Sequence, residues 1–163
     1  MSHCSLVHIP IAAMPPLERT PENKVVFRVS LDVVNGSIQL QMRQEGCKEQ
    51  DFIAIEEDSE VVIELHGKQL FFSREFDAIT TKGDFSSYYG GLAYDEYDSE
   101  RDRYRRVSFV ARANPRGKRG TRHPFNLNID LYQPGSEPEW VPISIDPDIK
   151  NPPPWPLRSR TDG

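Results

Sequence analysis

Between Asn114 and His123 the chain reads Asn-Pro-Arg-Gly-Lys-Arg-Gly-Thr-Arg-His, which sets four fixed cations, Arg116, Lys118, Arg119 and Arg122, among two glycines. Glycines let backbone amides approach a ligand closely, and arginine forks match phosphate oxygens two at a time. An anion or an acidic partner is therefore the chemistry this segment suits, with His123 at its end. The spacing is not G-x-x-x-x-G-K-[ST], and a strand pattern follows rather than a helix, so neither a Walker loop nor a helix-terminus phosphate site is supported. The bland reading is a solvated hairpin loop.

A second cluster lies upstream. Tyr88, Tyr89, Tyr94, Tyr97 and Tyr104 are interleaved with Asp95, Glu96, Asp98, Glu100 and Asp102, with Gly90-Gly91 as a joint. Tyrosines offer rigid contact area with a polar tip, which recognition surfaces favour, so this stretch reads as an interaction loop. The alternative is that some of these rings are core. The acids have the oxygen chemistry of a calcium or magnesium site, but Asp95 to Glu100 lacks the EF-hand glycine and the closing glutamate in register. His3, His8, His66 and His123 form no i, i+4 pair and share no strand face, neither cysteine sits in a C-x-x-C, and no G-x-S-x-G elbow is present. No zinc site and no resident cofactor are expected, and no catalytic residue is assigned.

These clusters need a frame, and the frame reads as β. Val25, Phe27, Val29, Leu31 and Val33 alternate with polar neighbours, as do Ile38, Leu40 and Met42, and the two runs meet at Asn35-Gly36. Asn-Gly is the favoured pair for a two-residue type I′ turn, so Val33 should face Ile38, Leu31 face Leu40 and Val29 face Met42. Further strands are expected at Phe52 to Ile55, Glu60 to His66, Lys68 to Ser73 as its returning partner, Arg105 to Ala113, Phe125 to Tyr132 and Trp140 to Ile145. Arg74 to Tyr104 shows no sustained period, and no window suits a helix. The expected fold is an all-β, antiparallel two-sheet sandwich of immunoglobulin-like type, with a small β-barrel as the alternative. Residues 1–23 read as an irregular arm, 24–146 as the sandwich domain and 147–163 as a proline-rich tail.

Composition bounds the partners. A net charge of -5 disfavours whole-surface attraction to nucleic acid or anionic lipid. Two cysteines, Cys4 and Cys47, make no disulfide framework and read as free thiols. The apolar stretch Leu6 to Leu17 is interrupted by His8, Pro10, Pro15 and Pro16 and lacks a basic start, so neither a signal peptide nor a membrane span is expected, and a cytoplasmic location follows.

The block Ile145-Asp146-Pro147-Asp148-Ile149-Lys150-Asn151-Pro152-Pro153-Pro154 reads physically as a strand end, a turn at Asp146-Pro147 and a polyproline exit. It resembles the ending shared by a group of small bacterial proteins, the DP-EP family, whose members also carry the name nucleotide synthetase. Gln50-Asp51-Phe52-Ile53-Ala54-Ile55 and Tyr88-Tyr89-Gly90-Gly91-Leu92 resemble segments of the same group. The resemblance covers Val25 to Pro154 and implies nucleotide chemistry. Two readings result. The first is a non-enzymatic binding or protein-interaction module whose acidic tyrosine loop and basic loop suit self-association or a protein partner. The alternative is a nucleotide- or phosphate-binding protein using residues 115–122, with Lys118, Arg119 and Arg122 on phosphates and Asp95 or Asp98 carrying magnesium.

Overall fold

A computed structural model describes residues 9–10, 21–46, 52–81, 88–112, 121–145 and 148–151. Strands and turns make up the described residues, and none of these lies in a helix long and apolar enough to cross a membrane. Two sheets, not closed into a barrel, pack as a sandwich.

The second sheet is the more regular one, and its period-2 sequences explain it. It runs β3 (Ser37–Gln44), β2 (Lys24–Val34), β5 (Ser59–His66), β9 (Arg103–Ala111) and β8 (Tyr89–Asp98) from edge to edge. The β2–β3 hairpin turns at Asn35 (φ 52°) and Gly36 (φ 78°), both left-handed as a type I′ turn requires. Its register places Val33 opposite Ile38, Leu31 opposite Leu40 and Val29 opposite Met42, as the turn chemistry dictates. The pairing of β2 with β5 is parallel, Val25 against Val61 and Phe27 against Ile63, so the sandwich is mixed rather than purely antiparallel. The other pairs of this sheet keep the expected antiparallel arrangement, and this one is parallel because the chain leaves the sheet between β3 and β5, visiting the other sheet at β4 (Phe52–Ala54).

The first sheet is organised around β10 (Thr121–Tyr132). One edge of β10 pairs with β11 (Trp140–Ile145) and β12 (Asp148–Asn151) in a single continuous register, Leu127 opposite Ile145 and Pro124 opposite Asp148. The stretch expected to be a turn and a coil exit therefore carries strand pairing on both sides of Asp146-Pro147. The other edge of β10 pairs with β6 (Leu70–Phe72) and β7 (Ile79–Thr81), while β1 (Ile9–Pro10) pairs with β7. Lys68 to Ser73 thus does not return against Glu60 to His66. Leu70, Phe71 and Phe72 are all buried although β6 pairs with β10 alone among the described residues, and Phe71 is covered by Trp140 and the Arg105 guanidinium.

Between the sheets, alternate residues of β10, Phe125, Leu127 and Ile129, meet Val61, Ile63, Val107 and Phe109, all buried. Each such side chain contributes about 1.5–3 kcal/mol relative to exposure. More than half of the described residues in the stretch Arg74 to Tyr104, which showed no period, are in fact strand. β8 hides its alternation twice, at a bulge between Gly90 and Ala93, where Gly91 takes φ 70°, and again at Glu96, which takes φ 59°.

Candidate functional site

Two departures from sheet regularity build the site. Along β10, Ile129 faces Phe72 and Leu127 faces Ile79, so a step of two residues on one strand spans seven on its partner, and residues 73–78 loop out. The feet of this loop are pinned: Ser73 N–H donates to Asn128 O, Asn128 N–H to Ala78 O, and the Asn128 side-chain amide to Asp77 O at 2.8 Å. Phe76, at its crest, is 61% exposed.

The opposite wall is the β8–β9 hairpin. Asp98 Oδ1 accepts from the amides of Glu100 and Arg101, and Asp102 N–H returns to Asp98 O at 2.7 Å with Asp102 held at φ 55°. This tight turn sets Tyr97 opposite Tyr104, ring centroids 5.0 Å apart, and Tyr94 stands 5.3 Å from Tyr104. The Tyr97 hydroxyl donates to Asp102, whose other oxygen takes Arg74 at 3.4 Å, and the Tyr94 hydroxyl accepts the Ala78 amide. Loop and hairpin are thereby tied together around a cleft of about 830 Å³. Its floor carries the polar side chains of the first sheet, Thr80, Asn126, Asn128 and Ser144.

Behind the cleft an alternation of cations and rings holds the hairpin base. Arg103 Nε donates to Asp130 at 2.7 Å, with both residues buried, and its guanidinium lies 3.5 Å over Trp140. Arg101 covers Tyr132 and Arg105 covers Phe71.

Phe76, Tyr97 and Tyr104 are the exposed large hydrophobics among the described residues, and all three line this cleft. A wall of ring faces over a floor of amides and hydroxyls suits a flat heterocycle with polar edges. The hydrogen bond to Asp102 raises the Tyr97 hydroxyl pKa, and burial raises that of Tyr94, so both rings stay neutral. The same Tyr97 bond, with Arg74, lowers the Asp102 carboxyl and keeps it ionised.

The structure separates residues that the sequence grouped. Tyr94 and Tyr97 enter the cleft. Tyr89 is fully buried with its hydroxyl bonded to His123 Nδ1, and the Tyr88 ring stands 4.9 Å from that imidazole. Burial raises the Tyr89 pKa and lowers that of His123, so His123 belongs to a neutral packed cluster rather than to an anion site. Asp95 pairs with Arg106 at 2.9 Å, which lowers its pKa, and Arg106 also reaches Glu64 in a surface charge network. Asp98 caps the turn. With one carboxylate paired and the other capping, neither matches the magnesium role expected of them, and among the described residues no group of three or more His, Cys, Asp or Glu gathers for a metal. The tyrosine and acid stretch is an edge strand and hairpin, not a loop.

Arg116, Lys118 and Arg119 lie outside the described residues, as do Cys4, Cys47, His3 and His8. Arg122 has its backbone paired with Lys150 in β10·β12, and its side chain is outside what is described. Arg74, Phe76, Thr80, Asn126 and Asn128 were missed. The one available signal was Asn126 and Asn128 in the polar phase of β10, which alone reads as a wet face.

No curated protein matches the chain with significant similarity. The expectation of a non-enzymatic, self-associating interaction module is overturned by a family match that favours the alternative, since residues 1–154 fit the model of a family described as a predicted novel nucleotide synthetase. That match covers far more than half of the sequence, and the chain belongs to this predicted nucleotide synthetase family.

Proposed function

We propose that the chain binds a nucleotide in this cleft and serves nucleotide synthesis. The base lies against Tyr97 and Tyr104, with Phe76 supplying a ring from the facing loop. The observation that carries the reading is the gathering of the exposed Phe76, Tyr97 and Tyr104 around one polar-floored cleft. Exposed apolar rings cost solubility, and a stacking ligand gives them a partner.

The phosphates take the rim. Arg74 is half exposed there, and its contact to Asp102 is long at 3.4 Å, which leaves guanidinium donors available to an anion. In the sequence the basic segment with Arg116, Lys118, Arg119 and Arg122 comes just before Asn126 of the floor strand, and its cations are the ones a phosphate-binding reading calls on. Bond making at phosphorus depends chiefly on neutralising and orienting the phosphate oxygens, which is work for such cations.

Calorimetric titration with ATP, GTP, CTP and UTP tests the reading. Saturable binding is expected, weakened about 5- to 150-fold in Tyr97→Ala and Phe76→Ala, since stacking on an aromatic contributes about 1–3 kcal/mol per base. Failure of all four to bind would refute it.

A further inference from the structure

Thr80 stands on β7 opposite Asn126 of β10, and both line the cleft floor. Thr80 is only 8% exposed, and its Oγ1 is enclosed with no hydrogen-bond partner among the described residues. A buried hydroxyl without a partner destabilises a fold, and valine would fill the same strand position without that cost. Other polar groups at the cleft do have assignments. Asn128 donates to Asp77 O and accepts from the Ser144 hydroxyl, while the Tyr94 hydroxyl holds the Ala78 amide. Arg103, which also lines the cleft, is committed to Asp130 and to the carbonyl of Arg101. The floor therefore offers a hydroxyl and no uncommitted cation among the described residues, which suits a neutral, hydrogen-bonding edge better than a phosphate.

We infer that Thr80 is a specificity-determining residue whose hydroxyl meets the polar edge of the base, the base face lying on Tyr97 and Tyr104 and the phosphates remaining at the rim. The inference rests on the nucleotide reading above. It assigns a direction to the ligand: heterocycle inward, phosphates outward. A hydroxyl can both donate and accept, so it serves amino and carbonyl edges alike, while a base that places an apolar edge there strands it again.

The test is Thr80→Val beside Thr80→Ser, with three ligand types titrated against the full chain: the four nucleoside triphosphates, their nucleosides, and inorganic tripolyphosphate. Thermal melts without ligand report on the fold. Thr80→Val is expected to melt at or above the wild-type temperature, to bind the preferred nucleotide and its nucleoside about tenfold more weakly, and to discriminate less among bases. Thr80→Ser should recover the affinity, and tripolyphosphate binding should not change. Wild-type affinity in Thr80→Val, or an equal loss for tripolyphosphate, overturns the assignment. A wild-type protein that binds none of the nucleotides instead overturns the preceding reading, and this one with it.

Discussion

Arg103 offers the sharpest test of how the site is held. It is 8% exposed, as is Asp130, and three interactions converge on it: the 2.7 Å ion pair, a 2.7 Å bond to the carbonyl of Arg101, and the 3.5 Å stack on Trp140. Arg103→Met keeps much of the bulk but strands the buried Asp130 carboxylate, a loss of about 3–5 kcal/mol for buried pairs in general. Asp130 retains one further donor, the Arg74 amide at 3.2 Å, which places the expected loss near the lower end, about 3 kcal/mol. At about 2–4 °C per kcal/mol for a chain of this size, the midpoint should fall by roughly 6–12 °C. Circular dichroism melts and urea titration at fixed pH measure this directly. Adding Asp130→Asn removes the stranded charge, so the double variant should be less destabilised than the sum of the two single ones, by about 1–3 kcal/mol. A midpoint within about 2 °C of wild type for Arg103→Met, given the slope used above, or strict additivity in the cycle, would show that the pair does not hold the hairpin base as argued.

Two other outcomes follow from the fold. His123 is buried and its pKa is pushed below the ordinary value, so the unfolded chain takes up a proton that the folded one resists. Its contribution is complete above about pH 6.5 and declines as pH falls through and below that value. Urea titrations from about pH 7.5 to 5 should therefore show a steeper acid loss for wild type than for His123→Gln, by up to about 1.4 kcal/mol per pH unit, and parallel profiles would sink this account. Gly36 sits at φ +78° with open space where a Cβ would project, so Gly36→Ala costs backbone strain alone, about 1–2 kcal/mol, read as a midpoint lower by a few degrees; no change would mean the turn is not type I′.

The fold was legible wherever a local rule and a burial pattern agreed. Asn35-Gly36 set the register of β2 and β3 because turn chemistry and alternation point the same way. β10 was legible for a similar reason, Phe125 to Leu131 keeping strict period 2 between two neighbours. The parallel pairing of β2 with β5 was not, since both strands alternate cleanly and alternation carries no direction. Nor was β12, where Asp148 to Asn151 offers little apolar content and owes its place to pairing with β10 and β4.

The site was hidden for a deeper physical reason. Its walls are made where regular pairing is interrupted, at the five extra residues between β6 and β7 and at the left-handed Asp102 closing the β8–β9 hairpin. Neither leaves a periodic signal, because periodicity records only what pairs and buries. Phe76 lay within Ser-Arg-Glu-Phe-Asp, where one apolar residue among polar ones is unremarkable until the loop that carries it is seen to be pinned to Asn128 at both feet. The tyrosines were visible as a cluster, yet sequence proximity misjoined them: Tyr89 faces His123 in the core while Tyr97, eight positions on, faces the cleft. The bulge at Gly90 to Ala93 and the left-handed Glu96 lie between them, so counting by twos along β8 assigns the wrong side. Irregular backbone is costly to hold, and here it is stabilised by the Tyr97–Asp102–Arg74 link and the Tyr94 bond to Ala78. Those same bonds shape the cleft, which is why a variant that loosens the hairpin should weaken the proposed nucleotide binding before it unfolds the sandwich.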